Sequence, residues 1–181
     1  LKFDAARTAY INALRDYPGS LRARFNLARL ANMQGYQQVI WTDDATHTKL
    51  EEAGTMNVFF RINNILYNAP TSERILDGVT RKSIIDLAKR EGINVEVRSI
   101  LVDELIAAAK DGSLKEMFGA GTAAVVNPIV GFSYQETYYE LPKMEKPLSL
   151  EITSRIRSRN SFPERVDPNR TTCFSRGIER T

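Results

Sequence analysis

Cysteine, histidine and tryptophan are nearly absent from this 181-residue chain, which carries only Cys173, His47 and Trp41. One cysteine excludes a disulfide framework, and one cysteine with one histidine cannot make up the usual ligand set of a zinc site, so no metal is expected. That usage fits a reducing compartment, and a cytoplasmic location is expected. No apolar run reaches the roughly 18 residues that a membrane span needs, so no membrane partner is expected. The opening residues Leu1-Lys2-Phe3-Asp4 show neither an initiating Met nor an apolar signal core, and the chain reads as a fragment. Lysine is also missing over a long interval, with none between Lys2 and Lys49.

The residues that are present are 43% hydrophobic and 26% charged, enough for one domain with a sizeable core but too few for two full domains. The net charge of +3 conceals a division. Between Gly35 and Ile152 there are 12 basic against 17 acidic residues, with Lys outnumbering Arg 7 to 5. Outside that stretch 13 basic residues face 5 acidic ones, and 12 of the 13 are Arg. The chain therefore divides into an atypical N-terminal flank, residues 1–34, an orderly domain, residues 35–152, and an Arg-rich tail, residues 153–181, expected to be disordered because it has few aliphatic side chains to bury. Both flanks read as segments of different origin. The arginines lack interleaved aromatics, so a solvated basic tail is expected and not a nucleic-acid-binding arm.

Periodicity within residues 35–152 predicts an α/β domain. Gln38 to Trp41 and Met56 to Ile62 are β-rich runs, and Asn63-Asn64 before Ile65-Leu66-Tyr67 reads as a hairpin turn. Ile84, Leu87 and Ala88 put one apolar face on a helix from Thr80 to Arg90, with Gly92 as its stop. Val95 and Val97 alternate as in a strand, whereas Val102, Leu105, Ile106 and Ala109 repeat as in a helix closed by Gly112. Strands are expected over Lys115 to Phe118, Thr122 to Val126, Phe132 to Tyr134 and Tyr138 to Leu141, followed by a helix from about Leu148. Residues 1–34 can form helices, interrupted at Asp16-Tyr17-Pro18-Gly19. Asp43, Asp44, His47 and Lys49 read as an exposed turn, Trp41 as core, and Arg81 and Lys82 as solvent-facing or, alternatively, as within reach of a phosphate.

Three segments suit a phosphorylated, electron-withdrawing cofactor, although each also has an ordinary reading. Glu51-Glu52-Ala53-Gly54-Thr55-Met56-Asn57 is a small-residue turn with a carboxylate before it. It could hold a heterocyclic nitrogen protonated, or be a solvated turn. Ile75-Leu76-Asp77-Gly78-Val79-Thr80-Arg81 opens a helix, and offers either free N–H groups to a phosphate or a helix capped by Thr80. Phe118-Gly119-Ala120-Gly121-Thr122-Ala123-Ala124-Val125-Val126 is either an anion nest or a tight approach to a hairpin.

Taken in order, the three segments resemble the signatures of the branched-chain amino acid aminotransferases, pyridoxal-phosphate enzymes of fold type IV, in their larger Gly-Thr-Met-Asn subgroup. The resemblance covers Gly35 to Ile152, roughly two thirds of the chain. It implies the C-terminal, cofactor-binding domain of that D-amino acid aminotransferase-like fold, a mixed and strongly curved sheet with flanking helices. It also implies pyridoxal 5'-phosphate as cofactor, branched-chain amino acids and 2-oxo acids as substrates, and a homodimer. By the same resemblance Glu52 pairs with the pyridine nitrogen, Thr55 lies close to the cofactor and Leu76 packs on its ring. Gly78, Val79, Thr80 and Thr122 receive the phosphate, and the N–H groups of Thr122 and Ala123 meet the substrate carboxylate. The cysteine pair of some relatives is replaced by Ala124 and Asn127, so no redox switch is expected.

The Schiff-base lysine of that family has no counterpart. An ungapped alignment puts Asp16 in its place, and anchoring on Asn26 puts Arg22 there. Neither side chain can form a Schiff base. The family's smaller N-terminal domain is also not recognisable in residues 1–34. Two functional expectations follow: a transaminase exchanging the amino group of Leu, Ile or Val with 2-oxoglutarate, or a catalytically silent remnant that binds pyridoxal phosphate or a partner subunit.

Overall fold

A computed structural model describes residues 2–43, 45–54, 56–121, 126–159 and 172–175. The chain begins with helices α1 (Lys2–Asp16) and α2 (Leu21–Met33), then runs through β1 (Gln38–Thr42), β2 (Leu50–Ala53), β3 (Asn57–Ile62) and β4 (Ile65–Asn68). Helix α3 (Val79–Arg90), β5 (Asn94–Val97), α4 (Val102–Lys110), β6 (Leu114–Ala120) and β7 (Asn127–Ile129) follow. The remaining elements are β8 (Gly131–Tyr134), β9 (Thr137–Glu140), α5 (Leu148–Arg159) and β10 (Thr172–Ser175).

The strands form two five-stranded mixed sheets, ordered β2-β1-β10-β8-β9 and β5-β4-β3-β6-β7. β3 forms the centre of the second sheet because its residues Val58, Phe59, Phe60 and Ile62 are apolar on both faces. Val58, Phe60 and Ile62 join Ile40, Leu50, Leu105, Met117 and Phe132 in a core that also takes in α4. Phe59 points the other way, into a second core with Leu66, Ile84, Leu87, Phe118, Leu148 and Ile152 beneath α3 and α5. There the Phe59 and Phe118 rings stack at 5.0 Å. Burying each such ring contributes about 1.5–3 kcal/mol, so the two sides of β3 anchor both layers of the domain.

The expected hairpin at Asn63-Asn64 is present between β3 and β4, with Asn63 at φ 52°. Gly92 and Gly112 end α3 and α4 at φ 74° and 77°, a conformation strained for any residue with a side chain. The anticipated strand at Thr122 to Val126 falls largely on residues outside the described ones; Val126 is buried and β7 starts at Asn127. α1 and α2 are helical as their sequence suggests and pack together through Leu14, Ala23 and Leu27, while Ala31 of α2 meets Val39 of β1.

Three local expectations are corrected. Of the tail expected to be disordered, residues to Arg159 continue α5, and Thr172–Ser175 form β10, parallel to β1 on one side and β8 on the other. Backbone ladders on both edges hold such a strand, and a count of aliphatic side chains does not register them. The Asp43 turn is not simply exposed: Asp43 is buried and accepts from Lys49 N at 2.8 Å, Thr48 N at 3.0 Å, and Thr46 N and Oγ1 at 2.8 Å each. Burial alone would push its carboxyl up, but these donors outweigh burial and bring it down to about 2. Arg81 does not face solvent either. It is buried and donates to Asn68 Oδ1 and, at 3.0 Å, to Ala69 O.

Candidate functional site

The first two signature segments meet at the turn between β2 and β3. Ala53 and Met56 close that turn by a reciprocal pair of backbone hydrogen bonds, N–H to C=O, at 3.0 and 3.1 Å. Glu52 and Asn57, the next residues out on either side of this turn, meet through their side chains. The Asn57 amide Nδ2 donates to Glu52 Oε2 at 3.3 Å and to Leu76 O at 2.9 Å. Leu76 N donates in turn to Glu52 Oε2 at 3.2 Å. Among the described residues the other carboxylate oxygen, Oε1, has no hydrogen-bond partner. Glu52 is half-buried. Burial raises its carboxyl above the ordinary value, the Leu76 N–H opposes that, and the neighbouring Glu51 charge adds to the rise.

Two residues past Leu76, Gly78 is the N-cap of α3, with φ −64° and no side chain to cap the helix. The first N–H groups of an α-helix have no intrahelical acceptor, so this end presents unpaired donors and the positive end of the helix dipole. Gly78 is required for space and not for backbone freedom: a Cβ there would lie 2.7 Å from Asn57 Oδ1. Thr80, considered above as the cap, lies inside the first turn and does not cap the helix. Leu76 and Val79 are 72% and 80% exposed, which leaves an apolar face open beside the carboxylate and the helix end.

The third segment joins through β6, which pairs with β3 in the second sheet. Asn57 pairs with Ala120 and Val58 with Gly119. A Cβ on Gly119 would lie 2.5 Å from Met56 Sδ, so this glycine makes room for the side chain that fills the β2–β3 turn. Thr55, Thr122 and Ala123 lie outside the described residues. Asp16 and Arg22, the two residues aligned with the missing lysine, are exposed at the end of α1 and the start of α2. Among the described residues no lysine amine bonds to Glu52, Asn57 or Leu76, and Lys82 is ion-paired with Asp77.

Sequence reading missed two contributors. Asn57 could have been found by counting across the tight turn, which puts it opposite Glu52. Arg81 and Asn68 pair across 13 residues, and no local pattern signals it. Asn68 Nδ2 also donates to Val58 O at 2.9 Å, so the α3 start is tied through Arg81 and Asn68 to the central strand.

The class IV amino-transferase family matches residues 11–132. Branched-chain-amino-acid aminotransferase 2 of Bacillus subtilis (strain 168) is 37% identical over 138 residues, which cover 73% of this chain and 38% of that protein. A branched-chain aminotransferase from the archaeon Thermoproteus uzoniensis, solved with norvaline, superposes with a TM-score of 0.60 at 27% identity, covering 75% of this chain and 41% of the other. An aminotransferase from Brucella abortus bound to the co-factor PLP shares the fold, with a TM-score of 0.61 at 20% identity over 76% of this chain and 44% of that one. The chain spans between 33% and 38% of the length of the first curated relatives it matches. The fold is that of the fold type IV aminotransferases, and the chain belongs to the class IV aminotransferase family.

Proposed function

We propose that this chain is the cofactor-binding part of a branched-chain amino acid aminotransferase and that it binds pyridoxal 5'-phosphate without a covalent bond. The observation that carries this reading is the Glu52–Asn57–Leu76 junction, which sets a half-buried carboxylate, one oxygen of which has no partner among the described residues, beside the start of α3, which no side chain caps. The donor set fits the cofactor. Glu52 Oε1 can accept from a protonated ring nitrogen, whose positive charge would draw the raised carboxyl back to its ionised form. The N–H groups of Val79 and Thr80 suit a phosphate dianion, with Thr122 added by family resemblance. Exposed Leu76 offers an apolar face to an aromatic ring. When bound, the cofactor supplies an electron sink for charge developing at a substrate α-carbon. Thr55 near the cofactor and the Thr122 and Ala123 N–H groups at the substrate carboxylate complete the site by the same resemblance.

A complete family protein would use such a site, within a cytoplasmic homodimer, to exchange an amino group between leucine, isoleucine or valine and 2-oxoglutarate. For this polypeptide a specific observation favours catalytic silence: the position of the Schiff-base lysine holds Asp16 or Arg22, both exposed. Incubation with pyridoxal phosphate, borohydride reduction and peptide mapping test this reading. The expected result is binding with no single lysine labelled stoichiometrically, and no amino transfer from leucine above that of free cofactor. One stoichiometric lysine adduct would overturn the silent reading, and failure to bind the cofactor would overturn the cofactor reading.

A further inference from the structure

Building on that cofactor reading, we infer that Asn57 is a positioning residue whose one amide sets the separation between the Glu52 carboxylate and the anion-binding start of α3. Asn57 is 5% exposed. Nδ2 spends its two hydrogens on Glu52 Oε2 and Leu76 O, while Oδ1 lies where a Cβ on Gly78 would come within 2.7 Å of it, so a side chain there would collide with it. The same carboxylate oxygen receives Leu76 N, so both backbone groups of Leu76 are held by the β2–β3 turn. Glu52 belongs to one sheet, and α3 follows β4 of the other. No other described hydrogen bond joins Glu52 to the Leu76–Gly78 segment.

The consequence is specific to ligands that carry both ends. A molecule with a cationic ring nitrogen and a phosphate must match a fixed span, and preorganisation of that span strengthens its binding. A ligand that uses one end gains nothing from it. Inorganic phosphate needs only the helix end, and pyridoxamine without its phosphate needs only the carboxylate. Pyridoxamine 5'-phosphate carries both and, having no aldehyde, cannot react with surface lysines.

The experiment measures binding of these three probes to the full chain and to Asn57→Ser by calorimetry, together with thermal unfolding. Asn57→Ser is expected to weaken pyridoxamine 5'-phosphate about tenfold and each single-ended probe by less than about twofold, the size expected for loss of one or two hydrogen bonds to a charged partner. Equal weakening of all three probes would show a merely structural role and overturn the inference, as would no change. Failure of the wild-type chain to bind pyridoxamine 5'-phosphate would instead overturn the cofactor reading, and the inference with it. Two further variants guard against misfolding. Gly78→Ala should weaken pyridoxamine 5'-phosphate in the wild-type background and much less in the Asn57→Ser background, where the colliding Oδ1 is gone; equal effects in both would refute the proposed contact. Asn57→Asp keeps the shape but sets a second acid beside Glu52, so the pH below which pyridoxamine 5'-phosphate binding is lost should rise, and no rise would refute the proximity of the two side chains in the binding state.

Discussion

Replacing Glu116 by Gln tests how α5 is fastened to the sheet. Glu116 is a buried residue of β6, and its two carboxylate oxygens each take one backbone N–H from the start of α5: Oε2 from Leu148 at 2.8 Å and Oε1 from Ser149 at 2.9 Å. A carboxylate so placed satisfies two of the helix's orphan donors and interacts favourably with the positive end of its dipole. In Glu116→Gln one acceptor becomes an NH2 group facing an N–H. That leaves a buried backbone donor and the new amide donor without acceptors, at about 1–3 kcal/mol each, and removes about 0.3–1 kcal/mol of charge–dipole attraction. Relief of carboxylate desolvation offsets part of this, so a net loss of about 2–3 kcal/mol is expected. Urea unfolding followed by the fluorescence of Trp41 reads the effect. With a slope of about 2 kcal/mol per molar, the midpoint should fall by about 1 M. The exposed Glu140→Gln serves as the control with no shift. A midpoint change below about 0.3 M in Glu116→Gln would refute the claim that this carboxylate holds the helix.

Other perturbations bear on the core, the Asp43 turn and the site. Phe118→Ala removes one ring of the stacked pair with Phe59 and should cost about 3–5 kcal/mol in the same assay, whereas a loss under about 1 kcal/mol would show that the cavity collapses or that the ring is not core. Asp43 is depressed to about 2 from an ordinary 3.8. Its contribution, of order 2 kcal/mol, is therefore fully present above about pH 4 and lost as pH falls toward 2; Asp43→Asn should flatten the acid limb of the stability profile over that window. Glu52 is shifted the other way, so its ionisation opposes folding as pH rises through its raised value. Glu52→Gln should accordingly leave the melting temperature unchanged or higher while weakening pyridoxamine 5'-phosphate more than tenfold, and a fall in both would show that the carboxylate serves the fold.

Legibility from sequence followed the range of the interactions. The hairpin at Asn63-Asn64, the apolar faces of α3 and α4 and their glycine stops depend on residues within a few positions of one another, and all were readable. The three signature segments were readable as wording, and Glu52, Leu76 and Gly78 do come together. What wording could not supply was the reason for Gly78. Its absent side chain answers to Asn57, 21 positions earlier at the start of β3. Arg81 was misread for the same reason: its place in the first turn of a helix suggests solvent, but Asn68 and the Ala69 carbonyl lie beneath it. Thr80 has the residue type of a cap, yet the helix is capped two positions earlier, at Gly78. β10 was invisible because it is held by neighbours β1 and β8, the first of them more than 130 positions away.

The β2–β3 turn also has a mechanical meaning. Its two flanking strands lie in different sheets, so the carboxylate rides on one sheet and the helix end on the other. The width of the site is thus set by how the two sheets meet at this turn, and the Asn57 amide spans that meeting. A two-ended molecule bound as proposed would rivet the two sheets across their seam. The rivet should slow exchange of the β3 and β6 amides, far more than the small area it covers would suggest.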